Sequence, residues 1–204
     1  MSVNVAVIYY SATGTVFDLA KAAATAAEKE GAEVRLRKVR ELAPDEAIAS
    51  NEGWAQHAQA TQHVVEASID DLEWADAIIL GAPTRFGLPA AQMKQFLDTT
   101  GPLWAQGKLV NKIATSFTAS STRHGGQEST ILALNNTFYH WGSIIVPPGY
   151  ADPIQFAAGN PYGASHTSNN GAESPGELEL GAIEFQTKRT VEVAETFQRG
   201  RAEI

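Results

Sequence analysis

The 204-residue chain contains no cysteine. That absence excludes disulfides, thiolate nucleophiles, zinc–thiolate sites and cysteine-ligated iron–sulfur clusters together. Basic residues are also scarce: 15 Lys+Arg stand against 23 Asp+Glu, a formal net charge of −8. A surface of that sign repels phosphate backbones and anionic lipid, so neither nucleic acid nor membrane is an expected partner. No apolar run approaches the length of a membrane span, and no basic segment precedes the first strand at Val3. Together these features predict a cytoplasmic protein without membrane insertion. Histidines number five, and His57 and His63 stand six apart, off a common helical face, so no metal site is expected.

What the chain does contain is a soluble-core composition, 44% hydrophobic with 19% charged, over a length that suits one domain, residues 1–204. Short apolar runs alternate with helical patterns. Val5–Ile8, Val34–Val39, Ala77–Leu80, Ile113–Phe117 and Ile144–Val146 read as five strands. Helices are predicted at about Val16–Glu30, ended by Gly31, around Met93–Leu97, over Ser129–Trp141 and over Glu177–Arg199. Residues 40–73 show no strong strand signal and read as a variable helix and loop. Pro147–Gly176 is rich in Gly, Pro and Asn without a period and reads as a long loop, mobile at His166–Glu173. The pattern predicts an α/β fold, a flavodoxin-like doubly wound five-stranded parallel sheet of order 2-1-3-4-5 with helices on both faces. Its ligand crevice lies beyond the carboxyl ends of strands one, three and four.

That topology gathers three loops. The first, Ser11-Ala12-Thr13-Gly14-Thr15-Val16, follows an apolar strand and opens a helix without any Lys or Arg. A phosphate held there is gripped by hydroxyls, by backbone N–H groups at the small Gly14 and by the positive helix end. The same spacing also suits an ordinary turn with Thr15 as N-cap and Asp18 completing a capping box. The second loop is Pro83-Thr84-Arg85-Phe86-Gly87 and the third runs from Thr118 to Gln127. Taken alone, Arg85 suits a surface salt bridge to Asp76 or a neighbour, and Phe86 suits the core. A phosphate-accepting receiver domain needs carboxylates where Ser11 and Gly81-Ala82-Pro83 stand, so that reading fails. Gly101 and Gly107-Lys108 miss the P-loop spacing, Leu109 replaces its hydroxyl residue, and no G-x-S-x-G elbow is present.

The first loop is similar to the [ST]-x-T-G-x-T phosphate loop of flavodoxin-type proteins, with Val16 in place of the last threonine. Along nearly the whole chain, the phrases YYSATG, GAPTRFG, QMKQFLD, GPLWAQGKL, HGGQEST, IIVPPGY and NPYGAS occur in one order. That order and spacing resemble the WrbA family of flavin-dependent NAD(P)H:quinone oxidoreductases. The resemblance implies a homotetramer that binds FMN at Ser11–Val16, takes electrons from NADH or NADPH and passes two to a quinone. It implies flavin-ring contacts at Thr84, Arg85 and Phe86, on a loop stiffened by Pro83 and opened by Gly87. In the third loop it implies cofactor contacts among Thr118, Ser120, Ser121, Thr122, Arg123, His124 and Gly125. This run is one residue longer than the family's glycine-rich version, and Arg123 suits either a cofactor phosphate or solvent.

The resemblance also aligns His140 with a flavin-pocket histidine, making it with Arg85 a catalytic candidate; by position alone it is a helix C-terminal histidine. Trp104 aligns with a pocket wall contributed by another subunit, and otherwise suits a core or interface. With Thr13 and Tyr162 it forms the substrate-binding set. The function implied is two-electron quinone reduction in ping-pong order. A flavodoxin-type one-electron carrier and a non-catalytic flavin-binding regulatory protein are the alternatives, separated from it by turnover with a nicotinamide and a quinone.

Overall fold

A computed structural model of the chain describes residues 2–202. The elements run β1 (Asn4–Tyr9), α1 (Thr15–Lys29), β2 (Glu33–Lys38), α2 (Asp45–Ala49), α3 (Glu52–Ala60), α4 (Ile69–Trp74), β3 (Ala77–Arg85) and β4 (Leu88–Pro89). They continue through α5 (Ala91–Asp98), α6 (Gly101–Ala105), β5 (Ile113–Ser120), α7 (Gln127–Trp141), β6 (Ile144–Ile145), α8 (Pro153–Ala158), β7 (Ser165–Thr167) and α9 (Glu177–Ala202).

Alternation along β1 builds both halves of the core. Val5, Val7 and Tyr9 point to the side covered by α1 and α9, where they meet Leu19, Ile183 and Val191. Ala6, Ile8 and Tyr10 point the other way, to Leu72, Met93, Leu134 and Phe138 of α4, α5 and α7. A central strand buried on both faces has no polar side, which is why β1 reads as a continuous apolar run. Each large side chain buried in these clusters contributes about 1.5–3 kcal/mol of apolar transfer.

The sheet order is β2-β1-β3-β5-β6, all parallel, so the five expected strands lie in the expected order. The expected total of five is corrected to seven. The additional β4 pairs antiparallel with the end of β3, and β7 pairs parallel with β5. β6 matches Ile113–Ala114 of β5, whereas β7 matches Thr118–Ser120. They are two halves of one edge position, separated by a segment that carries α8. Ser165-His166-Thr167 has no apolar run, so nothing in its composition marks it as a strand.

Other expectations shift with this arrangement. Residues 40–73 form three short helices, α2 to α4. The stretch expected to be mobile at His166–Glu173 is fastened instead: His166 is buried, and Ser168 donates from N and Oγ to the Ser120 carbonyl (2.8 and 3.2 Å). Among the described residues no helix is long and apolar enough to cross a membrane.

Candidate functional site: a crevice at the carboxyl edge of the sheet

Beyond the ends of β1, β3 and β5 lies a cleft of about 350 Å³. Ser11–Thr13, Thr15, Val16, Pro83–Arg85 and Ala119–Ser121 line it, so all three loops singled out in the sequence converge there.

The first loop is shaped by backbone. Gly14 sits at φ 102° as the N-cap of α1, and no side chain caps that helix. Thr15 is therefore the first helical residue, and the capping box expected of Thr15 and Asp18 does not form; Asp18 N donates to the Gly14 carbonyl instead (3.0 Å). The first-turn N–H groups of α1 have no intrahelical acceptors, and Thr15 and Val16 of that turn line the cleft. Ser11 Oγ accepts from Gly14 N (3.1 Å), closing the loop on itself. Ala12 and Val16 are buried in the two core clusters, so what they offer the cleft is main chain. The donor set is hydroxyls, amides and a helix dipole without a cationic side chain. It fits a phosphate monoester at the end of a larger cofactor.

The second loop is a hairpin tip. Arg85 pairs with Leu88, and the two residues between, Phe86 (φ 55°) and Gly87 (φ 81°), both lie in the left-handed region. That is the backbone of a two-residue type I′ turn, which suits Gly and is strained for Phe. Gly87 N donates to Thr84 Oγ1 (3.1 Å). Phe86 is 103% exposed at the tip, which removes the core reading, and it projects outside the cleft of its own chain. Arg85 lines the cleft with Nη1 donating to the Thr84 carbonyl (2.9 Å). The alternative salt bridge with Asp76 does not form, since Asp76 sits at the far end of β3 and accepts from Asn4 N (2.9 Å).

The third loop divides between two faces. Ser120 and Ser121 line the cleft, while Arg123 and His124 line a separate hollow with Gln127, Asn160 and Glu179. Thr118 is fully buried, its Oγ1 donating to the Ala82 carbonyl (2.6 Å), so its side chain is spent inside the sheet. Thr122 and Gly125 close the turn through Gly125 N to the Thr122 carbonyl (2.9 Å) and do not reach the cleft. Gln127 Nε2 lies 2.9 Å from Ser120 Oγ and 3.1 Å from Thr167 Oγ1, fixing the loop against β7.

Trp104, His140 and Tyr162, the candidates outside the three loops, also stand apart from this cleft. His140 is exposed in the last turn of α7, and its carbonyl accepts from Trp104 Nε1 (2.9 Å). Since Gln127 opens α7 beside the cleft, His140 lies about 20 Å along the helix from it. Tyr162 is 44% exposed in the segment between β6 and β7 and does not line the cleft.

Sequence reasoning missed Asn51, Ser168, Asn170 and Gly171, which complete the lining. Thr13 stands between two of the chain's glycines, since a Cβ placed on Gly53 or Gly171 comes within 4.0 or 3.6 Å of its side chain. The run Ser168-Asn169-Asn170-Gly171 carries a turn signal, but nothing local says that this turn folds back onto the phosphate loop. Behind the first loop is a smaller cavity of about 110 Å³ lined by Tyr10, Ser11, Lys38, Glu41, Trp54 and His57, among others. Burial, and then the charge of Lys38, hold the His57 imidazole below its ordinary pKa.

A parallel sheet whose switch-point crevice offers an uncapped helix N-terminus and a ring of hydroxyls defines a flavodoxin-like, phosphate-binding α/β protein. The sequence profile of the NADPH-dependent FMN reductase family matches residues 3–156, and the chain belongs to that family. It is 45% identical over 192 residues to the NAD(P)H dehydrogenase (quinone) of Deinococcus radiodurans, covering 94% of this chain and 95% of the relative. It is 42% identical to the protein of that name from Aromatoleum aromaticum, covering 98% and 99%. Its fold is similar to the crystal structure of a WrbA-like flavodoxin from Agrobacterium tumefaciens, with TM-score 0.67, 25% identity and coverage of 96% and 99%.

Proposed function

We propose that the protein is an FMN-dependent NAD(P)H:quinone oxidoreductase. The observation that carries this reading is the cation-free phosphate cradle of Ser11–Val16, facing a hairpin that places Arg85 at the other lip of the same cleft. Its close similarity to quinone dehydrogenases over nearly its whole length supports the same conclusion.

In this reading Thr13, Thr15 and the main chain of Thr15 and Val16 hold the phosphate, while the bond from Gly14 N to Ser11 Oγ keeps the loop closed. Pro83, Thr84 and Arg85 border the ring on one side and Ser120 and Ser121 on the other. When bound, FMN supplies the two-electron chemistry that links a nicotinamide donor to a quinone acceptor. Arg85 places positive charge where negative charge develops on the ring or on an incoming substrate. The two substrates use the same open face in turn, giving ping-pong order. Trp104, His140 and Phe86, which do not serve their own cleft, wall that of a neighbouring copy in a homotetramer, with Tyr162 at the same boundary. The site works as one domain over residues 1–204, in the cytoplasm.

The test is an absorbance titration of the purified protein with FMN, followed by anaerobic NADH and NADPH and then a quinone. Stoichiometric flavin uptake, bleaching by a nicotinamide and reoxidation by quinone are expected. Flavin uptake without nicotinamide-dependent bleaching overturns the enzyme reading in favour of a carrier.

A further inference from the structure

Glu41 follows β2 and does not line the cleft, yet its carboxylate is the most heavily bonded acidic group near it. Oε1 accepts from Leu42 N (2.9 Å), Ala43 N (3.0 Å) and Gln92 Nε2 (2.7 Å). Oε2 accepts from the Tyr10 hydroxyl (2.8 Å) and from Trp54 Nε1 (3.2 Å). Gln92 Nε2 also reaches the Tyr10 hydroxyl (2.9 Å).

These donors come from separate parts of the chain whose common property is position. Tyr10 is the residue immediately before Ser11, where β1 hands over to the phosphate loop. Gln92 lies in the first turn of α5, the helix that leaves the β3–β4 hairpin, and Ala90 N ties that exit back to the Pro83 carbonyl (3.2 Å). Trp54 belongs to α3, whose N-cap Asn51 lines the cleft. One carboxylate therefore joins the origin of the phosphate lip, the exit of the Arg85 lip and the helix behind them. Burial works against the charge of Glu41, but the bonds from Ala43, Gln92, Tyr10 and Leu42 outweigh it and hold the carboxyl below its usual range. An ionised carboxylate offers lone pairs to all of these donors without giving up a proton.

We propose that Glu41 is a positioning residue that fixes the separation of the two lips, and with it the placement of Arg85 over a ring anchored at Ser11–Val16. This rests on the oxidoreductase reading. The phosphate loop has its own local closure through Ser11 Oγ and the Gly14 carbonyl, so anchoring does not depend on Glu41. The relative placement of the lips does. A misplacement of about 1 Å costs on the order of 100-fold in rate when a reaction depends on near-attack geometry.

The experiment compares wild type with Glu41→Gln, Glu41→Asp, Tyr10→Phe and the double variant Glu41→Gln with Tyr10→Phe, all loaded with FMN. Glutamine keeps the shape but turns one acceptor oxygen into a donor, so one of the two bonded sets meets an N–H group; aspartate keeps the acceptors. Anaerobic stopped flow is expected to show the limiting reduction rate of Glu41→Gln falling roughly 10- to 100-fold. FMN affinity shifts less than about threefold, Glu41→Asp recovers part of the rate, and Tyr10→Phe adds nothing in the Glu41→Gln background. Independently of activity, hydrogen exchange of the flavin-free protein is expected to quicken at Leu42, Ala43 and Gly87 in Glu41→Gln, with α1 unchanged. A wild-type rate in Glu41→Gln overturns the proposal, as does rate and FMN affinity falling together with exchange rising throughout. Wild type that takes up FMN but is not reduced by either nicotinamide overturns the functional reading instead, and the exchange pattern still decides whether Glu41 joins the lips.

Discussion

Trp104 donates its indole N–H to the carbonyl of His140 at 2.9 Å, pinning α6 to the last turn of α7. Trp104 nonetheless remains 56% exposed, a large aromatic face held rigid and left uncovered. Among the described residues, none that lines the cleft of the same chain is aromatic. A stacked planar substrate therefore meets an aromatic wall only if another copy brings one.

The expected result is subunit complementation. Trp104→Ala leaves the flavin loop intact, and Gly14→Val leaves Trp104 intact. Co-assembled hybrids of these two variants are expected to exceed the summed activity of the separate variants, and specific activity of wild type to fall on dilution as the assembly dissociates. Hybrids no more active than the sum, with full activity in a monomer, would place Trp104 outside the reaction.

Gly14→Val tests the phosphate loop. At φ 102° a side chain is strained in any surroundings, and a Cβ there also comes within 3.5 Å of His57 Nδ1. The conformational cost is about 1–3 kcal/mol. Relaxing it turns the loop amides away from the phosphate, and losing two charge-assisted bonds amounts to roughly 100-fold in FMN affinity. Equilibrium titration and a urea melt measure the two effects; unchanged FMN affinity would remove Ser11–Val16 from the cofactor site.

The core strands and the first two loops were legible because they are local. A run such as Val5–Ile8 has one way to be buried on both faces, and a strand end followed by Ser11-Ala12-Thr13-Gly14 carries its own turn chemistry. What sequence order hid is non-local. β7 is polar, and its place in the sheet depends on Thr118–Ser120 of a strand 47 residues earlier offering an unpaired edge. The third loop read as a single set, whereas the turn closed by Thr122 and Gly125 sends Ser121 to one cleft and Arg123 and His124 to another. The resemblance aligned His140 with a pocket histidine, and the fold puts it at the far end of α7 from the cleft of its own chain; nothing in a single chain's pattern tells whether a residue serves its own site or a neighbour's.

Gly126 and Gly31 form a matched pair for testing the contact between the second and third loops. Both have positive φ, at 93° and 83°, so alanine carries a similar conformational strain at each. A Cβ on Gly31 meets nothing within 4 Å, but one on Gly126 falls 2.6 Å from the Cα of Gly87 and pushes the hairpin away. Gly31→Ala is expected to cost about 1 kcal/mol and leave activity alone. Gly126→Ala is expected to cost about 1–3 kcal/mol more through overpacking, and to slow nicotinamide-driven reduction. Equal urea midpoints for the two variants would show that the loops do not depend on that contact.

Arg85→Ala separates chemistry from cofactor retention. Arg85 is exposed at the tip of the β3–β4 hairpin, and among the described residues its side chain bonds to the Thr84 carbonyl alone. Its removal is expected to slow reduction by NADH or NADPH on the order of 10-fold or more while FMN affinity changes severalfold at most. Stopped-flow reduction at the wild-type rate would place the guanidinium outside the reacting region.

The pH dependence of stability follows from His57. Its ring packs on Phe17, with centroids 5.5 Å apart, against the back of Gly14. Burial first, and Lys38 second, hold its pKa below the ordinary 6.5. The unfolded chain takes up a proton near 6.5 while the folded one still resists it, so the unfolded state binds more protons as pH falls. The neutral ring therefore contributes its full stability above about pH 6.5, and this is lost progressively from there down through the lower folded pKa. His57→Gln removes the titration. Urea midpoints measured between pH 8 and pH 5 are expected to fall more steeply for wild type than for the variant, with the divergence starting near pH 6.5. Parallel curves across that range would show that the ring is protonated in the fold as readily as in the unfolded chain.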